Sequence, residues 1–231
     1  MTEKIFTFWE GDNMPGYLKL CLDTWKFPFE ILTYKNLNHY TNLPIDKLSR
    51  FTYPQIADIV RVHVLRDNGG YWLDADTIML TDKLPKENMV GDATTRMNTI
   101  GFLHTEKGSQ MFEHWAIFQD SVLNRYDIQL QWNVVGNAFT DKYLKEHSEI
   151  SIKDVTNYWP ETYMITDNLS RYDKYRKFYF EENYHLVDIR KTDMLMLHNS
   201  WTPNWYKQLN YKQILEESNC TLSNILCEVV K

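Results

Sequence analysis

The chain has 231 residues, a formal net charge of -6, three cysteines and 15% aromatic residues. That length accommodates one sizeable α/β domain spanning 1–231, with no linker-like stretch to divide it. The acidic balance argues against a nucleic-acid binder, which carries a basic patch to neutralise phosphates. Cys21, Cys220 and Cys227 are odd in number and form no CxxC, which speaks against a disulfide framework or a zinc site and for reduced thiols in the cytoplasm. The opening Met1 to Phe6 enters an apolar run too soon and too briefly for a signal peptide, and no transmembrane span is visible.

Lys4 to Trp9 has the apolar run of a buried strand. After a polar loop with Pro15-Gly16, Leu18, Cys21, Leu22 and Trp25 recur at i, i+3, i+4, i+7 and predict a helix. Phe29 to Tyr34 is the next strand. Strand, helix and strand within about thirty residues make a βαβ unit with a parallel pair. After Pro54, Ile56, Val60 and Val64 predict the core face of a second helix, with Asp58, Arg61 and Leu65 on a different face. Gly69-Gly70 stops it. Tyr71 to Leu73 and Thr77 to Leu80 then read as two short strands meeting at Asp74-Ala75-Asp76, and strand ends are where open α/β sheets bind ligands.

Two carboxylates one residue apart after an apolar run are hard to explain structurally, because strands are depleted in Asp and burying unpaired charge is costly. Carboxylates so spaced reach one hard divalent cation, which keeps waters and takes phosphate oxygens as its other ligands. Later, Gly108 to Asp120 predicts a helix, Gln129 to Thr140 the start of another, and Met194 to Leu197 a short strand ending at His198.

Asp58-x-x-Arg61, Leu65 and Gly69-Gly70-Tyr71-Trp72-Leu73-Asp74-x-Asp76 resemble the central signature of the DxD-containing sugar transferases of glycosyltransferase family 32. Capsular polysaccharide synthesis proteins are similar, and the glucosylating clostridial toxins share the core at longer range. Ile5 to Gly11 resembles the opening strand of that family, and His198-Asn199-Ser200-Trp201 its closing element.

The resemblance implies an α/β fold of GT-A type, a Rossmann-like nucleotide-sugar-binding domain with a mixed central sheet. Residues 1–85 would form the donor half, and 86–231 the acceptor half with its closing element near 198–201. It implies transfer of a hexose or N-acetylhexosamine from a nucleotide diphosphate sugar, expected to be a UDP-sugar, to a saccharide or lipid-linked oligosaccharide acceptor. Retention at the anomeric carbon, Mn²⁺ or Mg²⁺ dependence and a role in bacterial surface polysaccharide synthesis are implied with it. By the same analogy Phe8 and Trp9 hold the base, and Asp58 and Arg61 bind the donor. Asp74 lies near ribose and sugar, Asp76 holds the metal with His198 and Asp74, and Ser200 and Trp201 donate to the diphosphate. The N-terminal anchor of eukaryotic members is not seen here, which points to a bacterial enzyme at the cytoplasmic face of the membrane.

Other readings stay open at this level. Leu73 to Thr77 also resembles the nucleophile motif of haloacid-dehalogenase-type phosphatases, although the later Gly91-Asp92 is followed by Arg96 where that motif needs Asp. A non-catalytic nucleotide-sugar-binding module is the third possibility. Gln131, Trp132 and Asn137 are candidates for the acceptor side without a chemical argument to separate them from packing. Arg171 to Phe180 and Trp205-Tyr206-Lys207 interleave basic and aromatic residues, which suits a solvated helix face or, more sharply, peripheral contact with the inner membrane surface.

Overall fold

A computed structural model of the chain describes residues 4–92, 97–127, 130–155, 169–186 and 192–230. Its centre is a six-stranded sheet. Strand β1 (Ile5–Phe8) is buried at every position and lies parallel to β2 (Phe29–Leu32) on one side and to β3 (Gly70–Leu73) on the other. Beyond β3 come β6 (Met97–Thr105), antiparallel to it, then β5 (Met89–Asp92) and β7 (Ile152–Val155), giving the order β2-β1-β3-β6-β5-β7. A two-stranded ribbon pairs β4 (Thr77–Met79) with β8 (Met194–Met196) in antiparallel register. The expected α/β class and mixed central sheet are observed, consistent with a GT-A type Rossmann-like arrangement.

Side chains alternate across the strands, as a sheet covered on both faces requires. Phe6, Trp72 and Leu103 join one cluster with Ile59, Val62, Phe112 and Trp115, from α2 (Tyr53–Asn68) and α3 (Gln110–Leu123). Ile5, Tyr71 and Phe102 face the other way, with Leu22 of α1 (Gly16–Asp23) and Met194 and Met196 of the ribbon. A further cluster joins α1 to α5 (Arg171–Arg176), α6 (Asn204–Lys207) and α7 (Thr221–Val230) through Tyr17, Tyr175, Tyr206 and Ile225. Helix α4 (Asn137–Glu146) follows the turns after α3. Much of the aromatic content among the described residues is core: Trp72, Trp115, Tyr17, Tyr175, Tyr179 and Tyr206 are all fully buried.

Three expectations change in detail. Trp25 stands beyond the end of α1, where its indole N–H donates to the Thr77 carbonyl at 2.8 Å, while Thr24 Oγ1 accepts from the Met79 amide at 2.9 Å. The end of α1 thus fastens β4. Helix α2 does not divide into a core face and a separate polar face: Ile59 to Leu65 are all buried, because the sheet and α3 cover it from both sides. The segment from Gln129 starts no helix until Asn137; residue 129 itself lies outside the described residues, as does Arg96. The carbonyls of Gln131 and Val135 are taken by side chains instead, Gln55 Nε2 at 2.9 Å, Trp115 Nε1 at 3.0 Å and Gln119 Nε2 at 2.7 Å.

Gly69 caps α2 with a φ of 70°, and Gly70 follows at 94°. Both angles suit glycine. A side chain at 70 would also strike the Lys4 carbonyl of β1. Of the aromatic residues between Arg171 and Phe180, Tyr175, Phe178, Tyr179 and Phe180 are buried in the core and Tyr172 alone is exposed, so the basic residues there have one surface ring beside them. Among the described residues, no helix is long and apolar enough to cross a membrane.

His63 is buried in α2, its Nε2 3.8 Å from Asp120 of α3. Burial, helped by the Arg66 cation and opposed by Asp67, pushes it down to about 4. The folded chain therefore keeps the ring neutral where the unfolded chain protonates it. Stability from this group is intact above its ordinary value near 6.5 and is lost as pH falls toward 4. Urea unfolding of the parent should weaken relative to His63→Leu by up to about 3 kcal/mol between about pH 7 and pH 4. A difference that stays flat with pH would refute this account.

Candidate donor and metal site

The site grows from one buried cation. Arg61 projects from α2, and its side chain is only 4% exposed. Its Nη2 lies 2.9 Å from Asp58 Oδ1, one turn back on the same helix, and 3.0 Å from Asp74 Oδ1 at the end of β3. Nη1 donates to the Ile100 carbonyl of β6, Nε to the Ala57 carbonyl at 3.3 Å, and the guanidinium sits 5.2 Å from the centre of the Trp72 ring. The Trp72 indole N–H donates to Asp74 Oδ1 at 2.8 Å, so two donors share that oxygen. A guanidinium tolerates burial only when its donors are met, and here α2, β3 and β6 together meet them.

Backbone bonds set the acidic turn. Asp74 N–H donates to the Gly101 carbonyl at 2.8 Å, and Thr77 N–H to the Asp74 carbonyl at 3.0 Å. The Asp76 carbonyl accepts from Leu197 N–H at 2.9 Å, and its carboxylate Oδ2 accepts from Asn199 N–H at 2.8 Å. The β4–β8 ribbon therefore brings 198–201 against the acidic turn, more than a hundred residues earlier in the chain.

Electrostatics separate the carboxylates. Burial pushes Asp58 up to about 6, with Arg61 opposing and Asp74 adding. Burial holds Asp76 well above the usual carboxylate range, the charge of Asp74 adds to this, and the Asn199 amide opposes it. His198 is pushed down to about 4 by burial against the pull of Asp74, leaving a neutral imidazole whose ring centre is 4.0 Å from that of Trp201. Lys207 is also held below its ordinary value by burial, and the field of Asp76 works the other way.

Of the expected site residues, Asp58, Arg61 and Asp74 meet in one network, and Asp76 adjoins the closing turn that carries His198, Ser200 and Trp201. Ser200 is exposed and Trp201 is half-buried. Asp74, Asp76 and His198 do not gather as a protein-only metal cage; among the described residues no group of three His, Cys, Asp or Glu side chains does. Phe8 is buried in the core, edge-on to Tyr34 with ring centres 5.7 Å apart. Trp9 follows it, half-buried, with an indole N–H that has no partner among the described residues.

Two glycines at the site escaped sequence reasoning. A Cβ at Gly136 would stand 2.5 Å from Asp58 Oδ2, and one at Gly101 would stand 2.9 Å from Asp74 Oδ2 and collide with Met196. Each leaves room for a carboxylate. The isolated glycine inside the apolar run Ile100-Gly101-Phe102 was the available signal, since such a residue marks close approach of other groups.

The acidic turn, backed by a buried guanidinium, stands at a strand end of the mixed sheet, the position where open α/β sheets bind ligands. Residues 1–224 match the capsular polysaccharide synthesis protein family, and the chain belongs to it. No curated protein matches the chain. Among solved structures it is similar to one described as the PaToxG glycosyltransferase, at 16% identity and a TM-score of 0.44, covering 62% of this chain and 68% of that one. It is also similar to the apo-form glycosyltransferase GlyE of Streptococcus pneumoniae TIGR4, at 9% identity and a TM-score of 0.37, covering 66% of this chain and 45% of that one.

Removing Arg61 leaves two carboxylates facing each other without their counter-ion. Arg61→Leu should cost about 3–5 kcal/mol in chemical denaturation, whereas Arg61→Lys, which keeps the charge but loses the fork, should cost less. Equal losses would mean that the charge itself contributes nothing.

Proposed function

We propose that this member of the family is a metal-dependent glycosyltransferase that moves a hexose or N-acetylhexosamine from a nucleotide diphosphate sugar, a UDP-sugar first of all, to a saccharide acceptor. The acceptor is free or lipid-linked, the anomeric configuration is retained, and the product is a bacterial surface polysaccharide. The enzyme would work in the cytoplasm, within reach of the inner membrane surface. The observation that carries the reading is the Asp58–Arg61–Asp74 network at the end of β3, continued by Asp76, which the closing turn holds through the Asn199 amide.

In this reading Arg61 and Asp58 hold the donor sugar and diphosphate, the guanidinium aligning Asp74 toward ribose and sugar hydroxyls. Trp9 offers a ring face to the base, while Phe8 supports the strand end from the core. Ser200 and Trp201 donate to the diphosphate.

A divalent cation fits the donor set. Asp76 is a hard oxygen ligand whose ionisation burial and Asp74 oppose, a cost that a bound cation relieves. With so few protein donors gathered, waters and diphosphate oxygens would complete the shell. Asp76 would hold Mn²⁺ or Mg²⁺, with Asp74 and His198 as further donors, and the metal would neutralise the departing diphosphate. The acceptor hydroxyl attacks from the face the diphosphate leaves, and no side chain here is assigned as a covalent nucleophile.

The test is Mn²⁺-dependent release of UDP or GDP from a panel of nucleotide sugars. Asp76→Asn should lower the rate on the order of a hundredfold or more. Phosphomonoester hydrolysis without sugar transfer would move the assignment to a haloacid-dehalogenase-like phosphatase. Nucleotide-sugar binding indifferent to metal and without turnover would leave a binding module.

A second prediction concerns pH. Without metal, the raised Asp76 carboxyl contributes stability at low pH that is lost as pH rises through its folded-state value. A cation that binds the ionised form reverses that loss. The rise in Tm caused by Mn²⁺ should therefore grow from about pH 5 to about pH 8. A rise that shrinks over that range would remove Asp76 from the metal shell.

A further inference from the structure

Two tyrosine hydroxyls from separate helices converge on the closing turn. Tyr17, in the first turn of α1, is fully buried and its hydroxyl donates to Asn199 Oδ1. Tyr175, on α5, is also fully buried; its hydroxyl accepts from His198 N–H at 3.1 Å and lies 3.5 Å from Thr202 Oγ1. The turn closes on itself, with Trp201 N–H and Thr202 N–H both donating to the His198 carbonyl at 2.9 and 3.1 Å. The Asn199 amide then holds Asp76 Oδ2 at 2.8 Å. From Tyr17 through Asn199 to Asp76 the contacts form an unbroken chain from the core of α1 to the acidic turn.

Packing alone does not call for these hydroxyls. The Tyr17 ring meets Tyr206 at 5.9 Å between centres, and the Tyr175 ring meets Tyr179, His198 and Trp201, contacts that a phenylalanine would make equally well. Burying a phenol costs free energy unless its O–H finds a partner, and both partners found here belong to one turn. The arrangement is that of an outer shell around a ligand group, where side chains that never touch the ligand set the direction of those that do.

We propose that Tyr17 is a positioning residue for the cation end of the donor site, acting through Asn199 on Asp76, with Tyr175 holding the His198 side of the same turn. The role rests on the transferase reading of Asp76. With Asn199 anchored, its amide occupies one carboxylate oxygen of Asp76 and leaves the other for the cation. Without the anchor, Asn199 reorients and the amide no longer fixes the carboxylate.

The experiment is calorimetric titration of the full chain with Mn²⁺, alone and with saturating UDP, at a temperature well below unfolding. Tyr17→Phe removes one oxygen and should weaken Mn²⁺ binding on the order of tenfold. Asn199→Ala keeps the backbone amide and should do about the same, and the double variant should lose little more than either single one, since both act on one contact. A Tyr17→Phe protein with a lower Tm but unchanged Mn²⁺ affinity would overturn the proposal, because that is what a purely structural hydroxyl predicts. If Tyr17→Phe does not fold, Asn199→Ala on the half-exposed turn decides alone, and unchanged affinity there is equally fatal. A parent chain that binds Mn²⁺ neither alone nor with UDP would sink the metal reading first, and this role with it.

Discussion

The structure depends on keeping one guanidinium out of water. Arg61 is placed where a charge is expensive, and every group around it answers that expense: two carboxylates, two backbone carbonyls and the face of Trp72. Because Asp58 comes from the same helix, Asp74 from β3 and the Ile100 carbonyl from β6, satisfying the cation fixes the relative placement of three elements. Replacing such a cluster by apolar residues is often neutral or stabilising in a fold selected for stability alone. Its presence at a strand end, with Asp74 still partly exposed, makes better sense as a rigid mount for a carboxylate that must meet a ligand. The glycines at 101 and 136 follow from the same demand, since each gives up a side chain where a carboxylate oxygen needs space.

A second constraint joins distant parts of the chain. Asp74 follows β3 of the main sheet, whereas Asp76 precedes β4 of the ribbon, so the two carboxylates adjoin different sheets although one residue separates them. The ribbon is held by the end of α1 through Trp25 and Thr24, and its far strand delivers the closing turn. Strain or slippage in α1 would therefore be felt at Asp76 before it reached Arg61. The two halves of the acidic turn are anchored independently.

How much of this was legible in the sequence depended on whether local pattern or long-range contact decides the outcome. Residues Ile5 to Trp72 carry strong periodicity, Gly69-Gly70 punctuates it, and both the parallel β1–β2 pair and the strand-end position of Asp74 follow. The grouping of Asp58 with Arg61 was also visible. What periodicity missed was that α2 is covered on both sides, because a helix sandwiched between sheet and helix has no polar face to mark it. The stretch before Asn137 misled for a different reason: Gln55, Trp115 and Gln119 lie 16 to 76 residues away in sequence and take carbonyls that a helix would have used. The partnership of Asp76 with Asn199 is invisible locally, and only the motif resemblance had placed the closing element nearby.

The charges around the acidic turn bear on why a cation belongs in the proposed chemistry. Asp58 and Asp74 pair with the guanidinium of Arg61, Asp76 shares their acidic turn, and burial, with Arg171 adding to it, keeps His198 neutral against the pull of Asp74. Lys207 feels the field of Asp76, but its own burial works against its charge. Among the described residues the carboxylates of the turn outnumber the guanidinium paired with them, and a diphosphate brought there alone would meet repulsion from those carboxylates. Burial raises the carboxyls of Asp58 and Asp76, with the charge of Asp74 adding to it, and protonation is the other way to remove that negative charge. In the proposed chemistry a divalent ion arriving with the diphosphate would offset that charge while keeping Asp76 ionised. Donor and metal would then bind as a unit, leaving Arg61 to orient Asp58 and Asp74 instead of carrying the whole burden of neutralisation.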